Sequence, residues 1–543
     1  MKKLILFLFV IASVAGCKTK KEVTPEPVEP PPIKAQNTPT PPEIPTGPVK
    51  KVDISALSRK VQMPSAEMRT NLPEHETHKV IDENNFKEVS KDPISTFSVD
   101  VDRASYSNVR RMINNGYLPD KDAVRIEEMI NYFDYDYPEP TANSDVPFRV
   151  STQLSKAPWN EKNYLLQIGL QAKKIKMEDT PPSNIVFLID VSGSMGELNK
   201  LPLLKSSFKL LLNSLKNNDK VAIVVYAGSS GLVLKSTLVK EKAKILDALE
   251  SLEAGGSTAG GEGLKLAYKV ARENFIPNGN NRIILATDGD FNVGVDTNDD
   301  LQRLVEKERE SGVYISVLGY GMGNYRDDMV ETIANKGNGN YAYIDNIMEA
   351  KKVLVNEFGG TFYTVAKDVK LQIEFNPKYV KEYRLIGYEN RMLNTEDFDD
   401  DKKDAGEIGA GHTVTALYEI VPADGKNSNG LRYQSQELNK IAKSGKELAF
   451  LKMRYKKPTG SDKSILVKEP IHFNLLPLNK TNDNFRFSAS VAEFGMLLRD
   501  SKHKGNANWK QVIDLAKNAL GEDKDGYRKE FIRLVESAEL LSK

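Results

Sequence analysis

The sequence predicts an α/β fold: a doubly wound, mostly parallel sheet inserted in a β-sandwich-like domain, with N-terminal helices and a C-terminal helical segment. Three observations carry this. From about residue 183 to 360, strand-like apolar runs alternate with amphipathic helical stretches, the order of a doubly wound sheet. Period-two apolar patterns lie on both sides of that region, as in strands with one buried face. From about Phe485 the apolar residues recur with the 3.6-residue period of a helix.

At 543 residues the chain has room for about three or four domains. Its formal net charge of +1 gives no electrostatic reason to bind nucleic acid or an acidic membrane. Residues 1–17 read as a secretory signal: Lys2-Lys3, an apolar run from Leu4 to Ala12, then small residues up to Cys17. The apolar stretch falls short of the roughly 18 to 20 residues of a membrane span. Val14-Ala15-Gly16-Cys17 resembles a lipobox, and Cys17 is the single Cys of the chain. The resemblance implies lipidation of Cys17 and attachment to a membrane of the bacterial cell envelope. Lys18 after that Cys resembles the sorting pattern for the outer membrane, with the periplasmic or exterior side left open. Residues 18–85 are predicted to be a disordered tether, rich in Pro near its start and poor in large apolar residues.

Residues 86–145 are predicted to be an N-terminal helical region. One helix opens in the segment from Phe97 to Tyr106, and another runs from Lys121 to Phe133, where Ile126, Met129, Ile130 and Phe133 share a face. Asp100 and Asp102 suit strand-end caps better than metal ligands. Residues 146–182 together with 361–480 are predicted to be β-rich. Phe148/Val150, Leu166/Ile168/Leu170, Val369 to Phe375, Thr413 to Ile420 and Ala449/Leu451/Met453/Tyr455 alternate as half-buried strands do.

The region 183–360 carries the chemistry. Ile185 to Ile189 is continuously apolar, as expected of a central parallel strand covered on both faces. Such strands deliver functional groups at their carboxyl ends. Asp190, Ser192 and Ser194 follow at alternate positions in a Gly-bearing turn, and their all-oxygen donor set suits a hard cation, Mg2+ or Mn2+, with Ca2+ also admissible. Taken alone, the same turn could be a polar cap for a helix starting near Leu201. Two later segments supply further oxygens: Thr258 in Gly255-Gly-Ser-Thr258, and Asp288 at the end of the apolar strand Ile283-Ile-Leu-Ala286. Further strands are expected at Val221 to Tyr226, Val313 to Leu318 and Tyr341 to Ile344.

Together these positions resemble the von Willebrand factor A domain (VWA), whose metal-ion-dependent adhesion site takes D-x-S-x-S from one loop, a Thr from a second and an Asp from a third. The resemblance implies that Asp190, Ser192, Ser194, Thr258 and Asp288 bind a divalent cation, which then accepts an Asp or Glu of a protein partner. By analogy it also implies a shift of the last helix of the domain, Ile347 to Phe358. The wording of Arg125-Ile-Glu-Glu-Met-Ile-Asn-Tyr-Phe133, Tyr135-Asp-Tyr-Pro138 and Gly411-His-Thr-Val-Thr-Ala-Leu-Tyr-Glu419 resembles a bacterial family of VWA lipoproteins.

Residues 481–543 are predicted to be helical. Val491, Phe494 and Leu498, then Tyr527, Phe531, Leu534, Val535, Ala538 and Leu541, form packing stripes. Rival motifs fail on spacing. His75 and His78 are three apart where a zinc-protease helix needs four; Glu262 stands where a phosphate loop needs Lys; Lys402 and Ile408 break the calcium-loop pattern begun by Asp397, Asp399 and Asp401. No nucleophile has an evident base. The expected function is therefore non-enzymatic: a lipid-anchored envelope protein that binds a partner through a metal. The alternatives are an envelope enzyme using the cation as a Lewis acid, or a structural lipoprotein whose metal only holds loops together.

Overall fold

The computed structural model describes residues 76–99, 102–141, 143–257, 260–289, 298–322, 325–423, 445–458 and 463–543. The signal segment, Cys17, most of the 18–85 tether, Asp100 and Thr258 lie outside the described residues.

Six strands form the central sheet of the α/β domain, in the order Tyr341–Ile344, Tyr314–Tyr320, Asn280–Thr287, Ser183–Asp190, Lys220–Tyr226 and Ser230–Leu238. All pair in parallel except the last, which runs antiparallel at the edge. Ser183–Asp190 is buried along its whole length, and the pleat divides its side chains between two cores. Ile185, Phe187 and Ile189 meet the helix Leu201–Ser214 through Leu204, Phe208 and Leu211. Val186 and Leu188 meet the helix Gly260–Glu273 through Leu264, Ala267 and Tyr268. The edge strand Ser230–Leu238 was not foreseen from the sequence: Leu232 and Val233 are adjacent apolar residues, both 40% exposed, and give no alternation.

The β-rich segments form a sandwich. One sheet orders Lys87–Glu88, Val380–Ile386, Thr413–Pro422, Asn160–Ala172, Phe148–Ala157 and Leu475–Leu476; the other orders Ile408–Gly409, Thr364–Phe375, Glu447–Lys456 and Ile465–His472, with Ile94–Ser98 also pairing Thr364–Phe375. Leu166, Ile168 and Leu170 face Leu371, Ile373, Leu451 and Met453 in a shared core. The α/β domain is inserted between Asn160–Ala172 in one sheet and Thr364–Phe375 in the other.

Asn160–Ala172 is not half-buried, as alternation had suggested, because helices cover its second face. Leu165 and Leu417 join a core with Phe133, Phe487, Phe494 and Phe531. Gln167 Nε2 donates to Asn484 O at 3.1 Å and to Ser488 Oγ at 2.7 Å, so polar residues on this face are satisfied by the helical layer rather than by water. That layer comprises Ala104–Asn114, Ile126–Asn131, Asp483–Leu498, Trp509–Lys517 and Tyr527–Leu541.

Two further expectations need correction. Residues 76–85, assigned to the tether on composition, lie on the folded body: Asn84 Nδ2 donates to Leu385 O and Gly387 O, and Arg111 pairs with Glu76 at 2.7 Å. The helix expected over Ile347 to Phe358 is broken into an α-helix, Ile347–Lys351, a π-helical turn, Lys352–Asn356, and a second α-helix, Phe358–Phe362. The wider turn brings Lys352 onto Glu357, five residues on, where Arg103 also pairs.

Buried charge ties the N-terminal helices to the α/β domain. Arg125 pairs with Glu128 and, at 2.7 Å, with Asp327 at the start of the helix Asp327–Lys336. Burial alone would raise the Asp327 carboxyl, but Arg125 and then His78 hold it well below the usual range. Arg110 reaches Asp345 at 2.5 Å and Glu349 at 2.7 Å. Asp102, a strand-end cap as expected, accepts from Tyr341 N at 3.0 Å.

Removing one partner of a buried pair strands the other charge. Arg125→Met is therefore expected to destabilise the chain by about 3 to 5 kcal/mol in urea unfolding, and the double variant with Asp327→Asn by clearly less than the sum; additive losses would show that the pair is not coupled. A second outcome concerns Glu493, fully buried, whose carboxyl burial pushes up to about 8 against a backbone hydrogen bond from Asn508. A raised carboxyl binds its proton more tightly when folded, so stability is lost as pH rises from about 4.5 toward 8, by about 1.4 kcal/mol per pH unit. Glu493→Gln should remove that slope; parallel pH profiles for variant and wild type would refute it.

Candidate metal centre

The end of Ser183–Asp190 sets the geometry. Asp190 is fully buried where the central strand leaves the sheet, and its Oδ1 accepts from Ser192 N at 2.8 Å. That bond folds the chain into the turn Gly193–Gly196, anchored by the buried Met195. Ser192 and Ser194 hydroxyls stand 3.0 Å apart, Ser192 buried and Ser194 exposed. The spacing of two thus places both oxygens on one side of the turn.

A second loop is stitched to the first by its backbone. Gly255 N donates to Val191 O at 2.7 Å, and Gly193 N donates to Gly256 O at 3.0 Å. Gly256 has φ +88, a conformation that favours glycine. Thr258 follows in this loop's sequence, outside the described residues.

Asp288 directly follows Asn280–Thr287, the parallel neighbour of Ser183–Asp190, with Ile189 opposite Ala286 in register. Adjacent strand ends therefore bring the two carboxylates to one edge of the sheet. Burial pushes the Asp190 carboxyl up to about 6; the Ser192 hydrogen bonds oppose this, and the charge of Asp288 adds to it. The Tyr226 hydroxyl of the other neighbouring strand bears on the same carboxylate.

Sequence reasoning missed Lys200. Its Nζ lies 3.0 Å from Asp288 Oδ2, and both side chains are buried. No spacing rule links positions 200 and 288; only the strand order brings them together.

The donor set fits a hard cation: two carboxylates, one disfavoured as an anion by burial and by its neighbour, and two hydroxyls, with no sulfur or imidazole among the placed candidates. Among the described residues, no three His, Cys, Asp or Glu side chains gather as a metal cluster. The acidic loop of Asp397, Asp399 and Asp401 is used otherwise: Arg454 pairs with Asp399 at 2.5 Å and Lys403 with Asp397 at 3.7 Å. A cavity of about 1280 Å³ lies elsewhere, lined by Asp134, Glu357, His412 and Tyr527 among others, and by none of the candidate metal residues.

Comparison with known proteins gives the family of the chain. A family model described as von Willebrand factor type A domain matches residues 184–356, one described as von Willebrand factor matches 72–167, and one described as "Uncharacterized protein YfbK, C-terminal" matches 360–541. YfbK of Escherichia coli K12 is 49% identical over 467 residues, 84% of this chain and 80% of that protein. The protein sll0103 of Synechocystis is 30% identical over 188 residues, 34% of this chain and 43% of its own. Among solved structures, a von Willebrand factor type A protein from Catenulispora acidiphila superposes with a TM-score of 0.39 at 16% identity, over 72% of this chain and 91% of its own. A VWA domain supports a general role in adhesion or protein interaction. On the extent and identity of the YfbK match, the chain belongs to the bacterial VWA family that carries the YfbK C-terminal region.

Proposed function

We propose that this chain is a lipid-anchored cell-envelope protein whose VWA domain binds a divalent cation, Mg2+ or alternatively Mn2+ or Ca2+, and uses it to hold a protein partner. Asp190, Ser192, Ser194, Thr258 and Asp288 would hold the ion, which when bound supplies an electrophilic centre for a partner's Asp or Glu. One observation carries this reading: a fully buried Asp190 carboxylate, raised to about 6, sits beside Asp288 at a strand-end turn that also presents the Ser192 and Ser194 hydroxyls. A cation offsets both the burial of the Asp190 anion and its repulsion by Asp288. The chain's own residues then have a positioning role. Ser192 N fixes the Asp190 carboxylate, and the exposed Ser194 keeps the turn open to a partner.

Binding rather than catalysis is the reading that the sequence pattern favours; the 1280 Å³ cavity is lined by none of these residues. Lipid attachment at Cys17, outer-membrane residence and the reach of the Pro-rich tether belong to the same proposal and rest on the sequence pattern.

Two outcomes test it. The full chain immobilised in Mg2+ should retain an envelope protein that Asp190→Ala, or wild type in EDTA, does not. Equal capture in every condition overturns metal-bridged adhesion, and an Asp190→Ala chain that keeps its partner but melts earlier points to a structural ion. Separately, Cys17→Ser should move the chain from the membrane fraction to the soluble fraction and abolish palmitate labelling; unchanged fractionation and labelling overturn the anchor.

A further inference from the structure

On the metal assignment above, we propose that Lys200 is a resident counter-charge of the metal-binding face, and that its ammonium on Asp288 sets how strongly the site holds a divalent cation. The Lys200 side chain is 7% exposed and that of Asp288 is 4% exposed, so this pair is inside the protein rather than on its surface. A lysine covering an apolar surface extends its ammonium to water; this one is turned inward onto a carboxylate oxygen at 3.0 Å.

Two features of the backbone hold it there. Lys200 N donates to Glu197 O at 3.0 Å, and Lys200 O accepts from Leu204 N at 2.8 Å, fixing the residue at the entry to Leu201–Ser214. The stem then crosses the loop after Tyr314–Tyr320 at Gly321, where φ is +80 and an added Cβ would collide with Lys200 Cε and meet Cγ at 2.8 Å. The passage exists because residue 321 has no side chain.

Charge counting gives the consequence. Among these three placed groups, Asp190 and Asp288 carry two negative charges and Lys200 one positive, so that together they meet the cation with one net negative charge. A divalent ion reverses that to one net positive charge, which a single carboxylate from a partner cancels. Without Lys200 the two carboxylates would neutralise the ion by themselves, and the partner's acid would find no excess charge. Lys200 thus keeps the ion weakly held and dependent on an outside carboxylate.

The test is calorimetric titration of the full wild-type chain and of Lys200→Met with MnCl2, with melting curves of each in EDTA. Lys200→Met should bind Mn2+ about tenfold more tightly, since a unit charge near the ion has been removed. It should also melt earlier in EDTA and gain more on adding Mn2+, because the buried Asp288 loses the ammonium 3.0 Å from its Oδ2. Gly321→Ala, which displaces the stem without removing the charge, should shift Mn2+ affinity in the same direction. Folded Lys200→Met and Gly321→Ala chains that bind Mn2+ as wild type does, or more weakly, overturn the role given to Lys200. A wild-type chain that takes up no Mn2+ overturns the metal assignment itself, which is a distinguishable result.

Discussion

Arg110 and Arg125 carry positive charge into the interior, and much of the architecture around them follows from the need to neutralise it. Each draws carboxylates from separate parts of the chain. Arg125 takes Glu128 from its own helix and Asp327 from the α/β domain; Arg110 takes Asp345 and Glu349 from the α/β domain and, at 3.2 Å, Glu530 from the C-terminal helix. Buried ion pairs contribute little net stability compared with apolar packing, but they penalise any arrangement that separates the partners. The N-terminal helices, the inserted domain and the last helix are thus held in one arrangement by charge, while the aromatic core of Phe133, Phe487, Phe494 and Phe531 supplies the burial.

The sequence was most informative where a local pattern decides the outcome. Ser183–Asp190 reads as a buried strand because five consecutive apolar residues serve two cores at once, and the functional turn after it reads from residue types at fixed spacing. Ile465–His472 was missed because Pro470 interrupts its pattern; the strand tolerates Pro only because it lies at the sheet edge. The π-helical turn at Lys352–Asn356 was invisible because the pairing that accompanies it, Lys352 and Arg103 on Glu357, joins positions some 250 residues apart in the chain. Lys200 was missed for the same reason, since its partner is chosen by strand order and not by spacing.

The metal candidate and the large cavity divide the polar chemistry of the molecule between two places. At the strand ends, two buried carboxylates stand behind a turn whose Ser194 hydroxyl is exposed. In the cavity, His412 is buried against Gly360, and burial, aided by Arg103, pushes its imidazole down to about 3, so that it stays neutral. The first place combines two buried carboxylates with one exposed hydroxyl. Beside the second, Arg103 and Lys352 both pair with Glu357, one of the residues that line the cavity.

The insertion also has a mechanical consequence. Its entry strand, Asn160–Ala172, lies inside one sheet between Thr413–Pro422 and Phe148–Ala157, while its exit strand, Thr364–Phe375, lies inside the other and is paired on both sides. A load applied to the inserted domain while the rest of the chain is held therefore enters both leaves of the sandwich together. It meets rows of backbone hydrogen bonds that must yield in concert, instead of peeling a single edge strand one bond at a time.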